Sequence, residues 1–323
     1  MPTVYERPFG MYSSVTHSER PFVLIPEEAM PATTIATGVR AASAVSPRLG
    51  GAVAYRLFFS TRPRLRVPAR WAAIDADARR EAIVVGGRRV VVSAWGEAGP
   101  LVVLVHGWRG RAAQFAPLVP PLRAAGYRVL AFDAPAHGDS RGGPVDIRDW
   151  LAVLDELQRR HGRFAGLVGH SFGALAALTA VRHGLETDAV VAIAGAGRPQ
   201  AFLGEFARRL GLDAATRADF ERRFLARVGE TAASAAARYD AVAHPLAGAP
   251  LLVVHGDRDR ELPLDESIAL AEATTGARLV VVREAGHGRV LSTLEASDAL
   301  LAHLDGAARL GVALAGIRPD AEA

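Results

Sequence analysis

The sequence contains no cysteine and no lysine. Without cysteine the chain can form no disulfide, bind no metal through thiolates and use no cysteine nucleophile, and a reducing cytoplasm is the expected location. All 38 basic residues are arginine, which stays charged at any working pH, and the net charge is only +4. A high isoelectric point is therefore weak evidence for a nucleic-acid partner.

Long apolar runs are also missing. No stretch reaches the about 18 consecutive apolar residues that a bilayer span requires, so we expect no membrane span. Residues 1–10 contain Glu6 and Arg7 and no apolar segment, which argues against a secretory signal. Residues 32–60 are apolar but are interrupted by arginines, prolines and glycines. We interpret this segment as two amphipathic helices packed on the main domain, in preference to a membrane-surface helix.

The rest of the chain alternates between strand-like and helix-like segments. A hairpin is predicted where residues 82–85 and 89–94 flank two glycines. Further strands are predicted at residues 101–105, 128–132, 165–168, 189–194, 251–254 and 279–282, and helices at residues 111–125, 147–160, 172–183 and 264–274. Apolar strands with helical crossovers predict an α/β fold, a mostly parallel sheet with helices on both faces.

One connection is too long for an ordinary link between strands. Residues 198–249 are rich in alanine and arginine, and we predict a helical cap over the carboxyl edge of the sheet, where α/β proteins bind ligands. The predicted organisation is an N-terminal helical extension (1–80), a core in two parts (81–197 and 250–308) around the cap (198–249), and a tail (309–323). The first thirty residues lack periodicity, so ordered structure is expected to begin near Met30.

The strongest motif is Gly169-His170-Ser171-Phe172-Gly173, which joins a predicted strand to a predicted helix. Such a turn lifts a serine hydroxyl into the open, and the glycines on either side let the backbones approach. The helix N-terminus also favours developing negative charge. The pattern predicts that Ser171 is a nucleophile, with a purely structural turn as the alternative.

A serine nucleophile needs a base, and the base needs an orienting acid. His287 lies in a glycine-flanked loop after the last predicted strand, from which it could reach back over the sheet edge. We predict that His287 is the base, the alternative being a surface histidine. Asp257 and Asp259 follow a strand between Ser171 and His287, which is the chain order expected of the acid.

These motifs resemble those of the α/β-hydrolase superfamily over residues 81–305. In that superfamily a His-Gly-x-x-Asp-x-x-hydrophobic-Pro stretch carries the acid, which here implies Asp259 and leaves Asp257 in a variable loop position. His106-Gly107-Trp108 resembles the oxyanion loop, which implies that the backbone N–H groups of Trp108 and Phe172 bind an oxyanion and that His106 is structural.

A second loop supports the same resemblance. Residues 133–140 are similar to the superfamily's Asp-x-Pro-Gly-His-Gly-x-Ser loop, with Ala136 where glycine is usual. The resemblance implies that Asp133 and His137 shape the loop and do not take part in catalysis, and that Ala136 alters the turn slightly.

The resemblance implies a serine esterase that forms an acyl-enzyme and needs neither a metal nor an organic cofactor. Thioester cleavage, acyl transfer and cofactor-free perhydrolysis share the same triad and stay open, as does a non-catalytic receptor or scaffold on the same fold. The expected partner is a small-molecule acyl ester, and the oligomeric state is open. Nucleic-acid binding is disfavoured because 34 acidic residues nearly balance the arginines.

The cap is expected to choose the substrate. Its apolar side chains predict a modest acyl pocket and a preference for short to medium esters. The candidate lining residues are Phe202, Phe206, Leu210, Phe220 and Phe224.

Overall fold

Eight strands form one sheet in the computed structural model, which describes residues 32–316. The strands are β1 (Arg79–Val85), β2 (Arg88–Trp95), β3 (Leu101–Val105), β4 (Arg128–Asp133), β5 (Gly166–His170), β6 (Val190–Ile193), β7 (Leu251–Gly256) and β8 (Arg278–Val282). Their order is β1-β2-β4-β3-β5-β6-β7-β8. Only the β1–β2 and β2–β4 pairs are antiparallel within the described range, so the predicted mostly parallel sheet is confirmed.

Helices cover both faces and one edge of this sheet. Within the described range the α-helices are α1 (Ala32–Val45), α2 (Pro47–Phe58), α3 (Ala72–Ala76), α4 (Val119–Ala124), α5 (Ile147–His161), α6 (Phe172–Arg182), α7 (Pro199–Leu210), α8 (Ala214–Val228), α9 (Ala232–Tyr239), α10 (Leu264–Ala273) and α11 (Leu294–Gly316). The prediction of one helix over residues 111–125 was wrong. A 3₁₀ turn at residues 112–115 precedes the short α4, because Pro117 and the Pro120-Pro121 pair cannot donate the hydrogen bonds of a helix interior.

The central strands are buried on both faces, which explains why they appear in the sequence as continuous apolar runs. In β3, Val103 and Val105 pack into the core that contains Trp150, while Val102 and Leu104 pack into the opposite core with Phe115 and Leu122. Strand β3 pairs with β5 in a register that sets Val105 beside Gly169. The loops that follow these two strands therefore begin side by side at the carboxyl edge of the sheet.

The N-terminal helices and the cap pack on each other above that edge. Helix α2 lies along α8, and α1 contacts both α2 and α7. Ser46 begins α2 by accepting a hydrogen bond from the Leu49 N–H at 3.1 Å, with Pro47 in the first turn. The predicted N-terminal helical extension and the helical cap are both present, and they form one layer.

The C-terminal helix is longer than the sequence predicts. Helix α11 continues to Gly316, past the predicted start of a tail at residue 309, because residues 294–316 are rich in the strong helix formers alanine and leucine. The expectation that order begins near Met30 concerns residues outside the described range.

Gly51 permits the close approach of α2 to α8. A Cβ at this position would overlap the Asp219 carboxylate and lie 2.8 Å from the Asp219 Cβ. We expect Gly51→Ala to lower the free energy of unfolding by about 1–3 kcal/mol, since overpacking outweighs the gain in helix propensity. Gly38→Ala is the matched control, because a Cβ there meets nothing within 4 Å in α1. In urea denaturation, the free energy of unfolding of Gly38→Ala should equal or exceed that of the native protein. Equal stability of the two variants would contradict the packing argument.

Candidate active site

The turn between β5 and α6 holds Ser171 in a strained conformation. Its backbone angles are φ 57° and ψ −123°, which cost a non-glycine residue about 1–3 kcal/mol. A Cβ on Gly169 would lie 2.5 Å from the Ala174 backbone, and a Cβ on Gly173 would overlap the Val105 carbonyl oxygen. Both flanking glycines are therefore required by backbone contacts, and the turn presents Ser171 at the start of a helix.

The loop after β3 approaches Ser171 closely. A Cβ on Gly107 would lie 2.8 Å from the Ser171 Cβ and 3.3 Å from its Oγ. Within the described range, neither the Trp108 N–H nor the Phe172 N–H donates a backbone hydrogen bond. These two N–H groups follow Gly107 and Ser171 in the chain and are free of backbone acceptors, as donors to a developing anion must be.

His287 and Asp259 meet across the loops that follow β8 and β7. The His287 Nδ1 lies 2.8 Å from the Asp259 Oδ2, and both side chains are buried. The other carboxylate oxygen of Asp259 accepts hydrogen bonds from the Glu261 N–H at 2.7 Å and the Leu262 N–H at 3.0 Å. An ionised carboxylate only accepts, so Nδ1 carries the proton and the Nε2 of neutral His287 presents a lone pair.

Charge and burial act against each other in this pair. Burial alone disfavours the charged form of His287, but the hydrogen bond to Asp259 and the charges of Glu261 and Asp259 outweigh it, so the pKa of His287 is raised above its usual value. Burial likewise opposes ionisation of Asp259. The hydrogen bond from His287 and the two backbone N–H groups prevail, and the pKa of Asp259 is lowered.

The Nε2 of His287 is buried and has no hydrogen-bond partner among the described residues. Glu261 is close to it, with a carboxylate oxygen 3.9 Å from Nε2. His287, Glu261 and Ser171 line the same cavity. The histidine with the unpaired nitrogen and the serine therefore line one cavity.

Two further histidines, for which the sequence predicts no role, contact the Asp259–His287 pair. The His255 Nε2 lies 3.3 Å from the Asp259 Oδ2, and its Nδ1 lies 2.7 Å from the Ser267 Oγ. The His170 Nε2 lies 2.9 Å from the His287 carbonyl oxygen, and burial lowers the pKa of His170 to about 3, so this ring is neutral. Their places inside the two motifs are the only sequence signal that could have drawn attention to them.

The loops that resemble the superfamily's structural loops are held by buried hydrogen bonds. The His106 Nε2 accepts from the Ala134 N–H at 2.9 Å. Asp133 accepts from the Ala112 and Asp139 N–H groups at 2.7 and 2.6 Å. Ala136 takes a φ of 64°, in the left-handed region where glycine costs less.

A cavity of about 490 Å³ lies between the sheet edge and the helical layer, within the range of small-molecule sites. Its wall is largely aromatic and aliphatic. Predicted lining residues found there are Phe202, Phe206, Leu210 and Phe224. Phe220 is not among its lining residues: it is fully buried and packs behind the wall against Phe58 and Phe206.

The cavity also contains residues that the sequence analysis did not assign to a site. The N-terminal extension contributes Ile35, Leu57, Phe58 and Phe59. Charged groups also line it, namely Arg109, Asp146, Glu205, Arg209 and Glu261. No local pattern marks these residues, because their position depends on how the extension folds back over the core.

Among residues 32–316, no group of three or more histidine, aspartate or glutamate side chains is placed to hold a metal ion. In the same range, no helix combines the length and the apolarity needed to cross a membrane.

Comparison with known proteins agrees with the geometry of the fold. The sequence model of the Alpha/beta hydrolase family matches residues 102–303, more than half of the chain. The chain therefore belongs to the alpha/beta hydrolase family. An esterase from Thermogutta terrifontis superposes with a TM-score of 0.54 at 21% identity, covering 71% of this chain and 99% of the esterase, a likeness that shows the fold alone.

Relatives detected by sequence match over shorter segments. A pyrethroid hydrolase from Sphingobium wenxiniae is 38% identical over 76 residues, 22% of this chain and 27% of its own length. A monoacylglycerol lipase from Mycolicibacterium smegmatis is 32% identical over 100 residues, 28% of this chain and 36% of its own. The chain thus matches only about a third or less of the length of either relative.

Proposed function

We propose that this protein is a serine hydrolase that cleaves carboxylic esters of small to medium acyl groups through Ser171, His287 and Asp259. The observation that carries the proposal is the 2.8 Å contact between Asp259 and the Nδ1 of His287, which leaves Nε2 unpaired in a histidine that lines the same cavity as Ser171. This arrangement supplies a base, an orienting acid and a serine hydroxyl that a strained turn holds at the same site.

The chemistry follows from these positions. His287 Nε2 takes the proton of the Ser171 hydroxyl as Oγ attacks the ester carbonyl carbon, and Asp259 stabilises the resulting imidazolium. The N–H groups of Trp108 and Phe172 bind the oxyanion of the tetrahedral intermediate. Collapse breaks the bond to the leaving alcohol, which receives the proton from His287. Water, deprotonated by the same nitrogen, then attacks the acyl-enzyme and releases the carboxylic acid and Ser171.

The cavity supports an apolar substrate group. The aromatic and aliphatic side chains of its wall would exclude water from an acyl chain, whereas a polar chain would lose hydrogen bonds against them. Two of the relatives detected by sequence are a hydrolase and a lipase by name, which supports a hydrolytic reaction.

A fluorophosphonate probe tests the proposal directly. We expect the native protein to be labelled on the peptide that contains Ser171, with hydrolysis of p-nitrophenyl esters lost in proportion to labelling. Ser171→Ala should stay unlabelled while its circular dichroism remains native. A folded native protein that neither reacts with the probe nor hydrolyses any ester would contradict the proposal and favour a receptor or scaffold role.

The raised pKa of His287 predicts the pH dependence of hydrolysis. Only neutral His287 can accept the serine proton, so kcat/KM should fall as the pH decreases through an apparent pKa above the usual 6.5. Glu261→Gln removes a charge that favours imidazolium. It should therefore shift the acidic limb of the pH profile, the fall of kcat/KM at low pH, to lower pH. Rates measured with a short ester across the pH range check the prediction.

Glu284→Gln is the matched control for this pH experiment. Glu284 is exposed and pairs weakly with Arg258 at 3.9 Å, on a loop next to the site. Its acidic limb should coincide with that of the native protein. An unchanged limb in Glu261→Gln would show that Glu261 does not influence His287.

A further inference from the structure

We propose that Phe58, in the N-terminal extension, forms the far wall of the acyl cavity and limits the length of the acyl chain. This inference rests on the proposed ester hydrolysis. It assigns a specificity-determining residue to a part of the chain that precedes the catalytic core, outside residues 102–303 matched by the family.

A series of ring contacts along the cavity connects Phe58 to Phe172, the residue after the nucleophile. Phe172, next to Ser171, contacts Trp108 with ring centroids 5.4 Å apart, and Trp108 contacts Phe59 at 6.1 Å. Phe59 in turn contacts Phe58 at 5.2 Å. Two rings, Trp108 and Phe59, thus stand between Phe58 and Phe172 in this series, and all four line the cavity.

The wall behind Phe58 is closely packed. Its ring makes edge contacts with Phe206, Phe220 and Phe224 at centroid distances of 5.1, 5.4 and 5.9 Å. Phe220, which lies behind Phe58 in this cluster, is fully buried. Protein interiors packed in this way resist displacement, and an acyl chain that reaches Phe58 has no room to extend further.

The extension is also fixed to the oxyanion loop. The Ser60 carbonyl oxygen accepts hydrogen bonds from the Trp108 Nε1 at 3.1 Å and the Arg109 Nε at 3.0 Å. On the cap side, the Arg227 guanidinium lies 4.5 Å from the centre of the Phe59 ring and donates to the Val145 carbonyl at 3.1 Å. Phe58 and Phe59 are therefore held between the cap and the core as a fixed part of the site.

Two substitutions of opposite size test the inference. Kinetics with p-nitrophenyl esters from acetate to laurate give the ratio of kcat/KM for laurate to that for butyrate, with active sites counted by the fluorophosphonate probe. Phe58→Leu should raise this ratio about tenfold, because it opens space for further methylenes, and Phe58→Trp should lower it by a similar factor. If Phe58 had a purely structural role, both substitutions would change this ratio in the same direction, or neither would change it.

Val53→Ala is the matched control. Val53 lies in the same helix and packs in the same cluster, yet it is not among the residues that line the cavity. Its ratio should equal that of the native protein. An active native enzyme whose ratio stays constant in both Phe58 variants would overturn this inference alone. A native protein that neither reacts with the probe nor cleaves any ester would overturn the proposed function and this inference with it.

Discussion

Asp259→Asn is expected to lower kcat for ester hydrolysis by about 10⁴-fold while the protein stays folded. The Oδ1 of Asp259 accepts hydrogen bonds from two backbone N–H groups, those of Glu261 and Leu262. An asparagine would keep its oxygen there and turn its amide nitrogen toward His287. That nitrogen donates, so Nδ1 must become an acceptor and the proton must move to Nε2. The imidazole would then have no lone pair to receive the serine proton.

Asp257→Asn is the control for this prediction, because the sequence offers both aspartates in one loop. Asp257 is exposed, and its Oδ1 accepts a hydrogen bond from the Glu284 N–H at 2.5 Å, away from His287. Its kcat should remain within a few-fold of the native value. Single-turnover rates with p-nitrophenyl butyrate, normalised to protein that binds a substrate analogue, separate the two variants. Equal losses in both would argue against Asp259 as the orienting acid.

Gly173→Ala is expected to destabilise the fold by more than about 4 kcal/mol. An alanine Cβ there would overlap the Val105 carbonyl oxygen and lie 2.7 Å from that of His106. Both are backbone atoms at the end of β3, so relief requires α6 to move away from the sheet. Helix propensity alone would favour alanine over glycine by up to about 1 kcal/mol, which is too little to compensate.

Gly143→Ala provides the comparison, since a Cβ at that exposed position meets nothing within 4 Å. Its free energy of unfolding should lie within about 0.5 kcal/mol of the native value. Urea denaturation of both variants, together with their soluble yields, measures the difference. A Gly173→Ala protein with native stability would mean that β3 and α6 lie further apart than the structure shows.

Much of the core could be predicted from local patterns. Apolar runs separated by helical segments indicate a parallel sheet, and the carboxyl ends of parallel strands lie at one edge. The residues after β3, β5, β7 and β8 were therefore expected to meet, and the structure brings His287 and Asp259 into hydrogen-bond contact. The helix predicted over residues 111–125 is shorter in the structure, because α4 begins only at Val119, after Pro117.

By itself the sequence determined the succession of core strands, the strand–turn–helix unit at Ser171 and the presence of Asp259 and His287 in loops after two core strands. These features depend on contacts between neighbours in the chain or on strand burial, which leave a local pattern. The tertiary structure alone decided that Phe58 and Phe59 line the cavity and that Phe220 does not. An amphipathic helix shows that one face is buried, but the partner of that face depends on long-range packing, which no local pattern records.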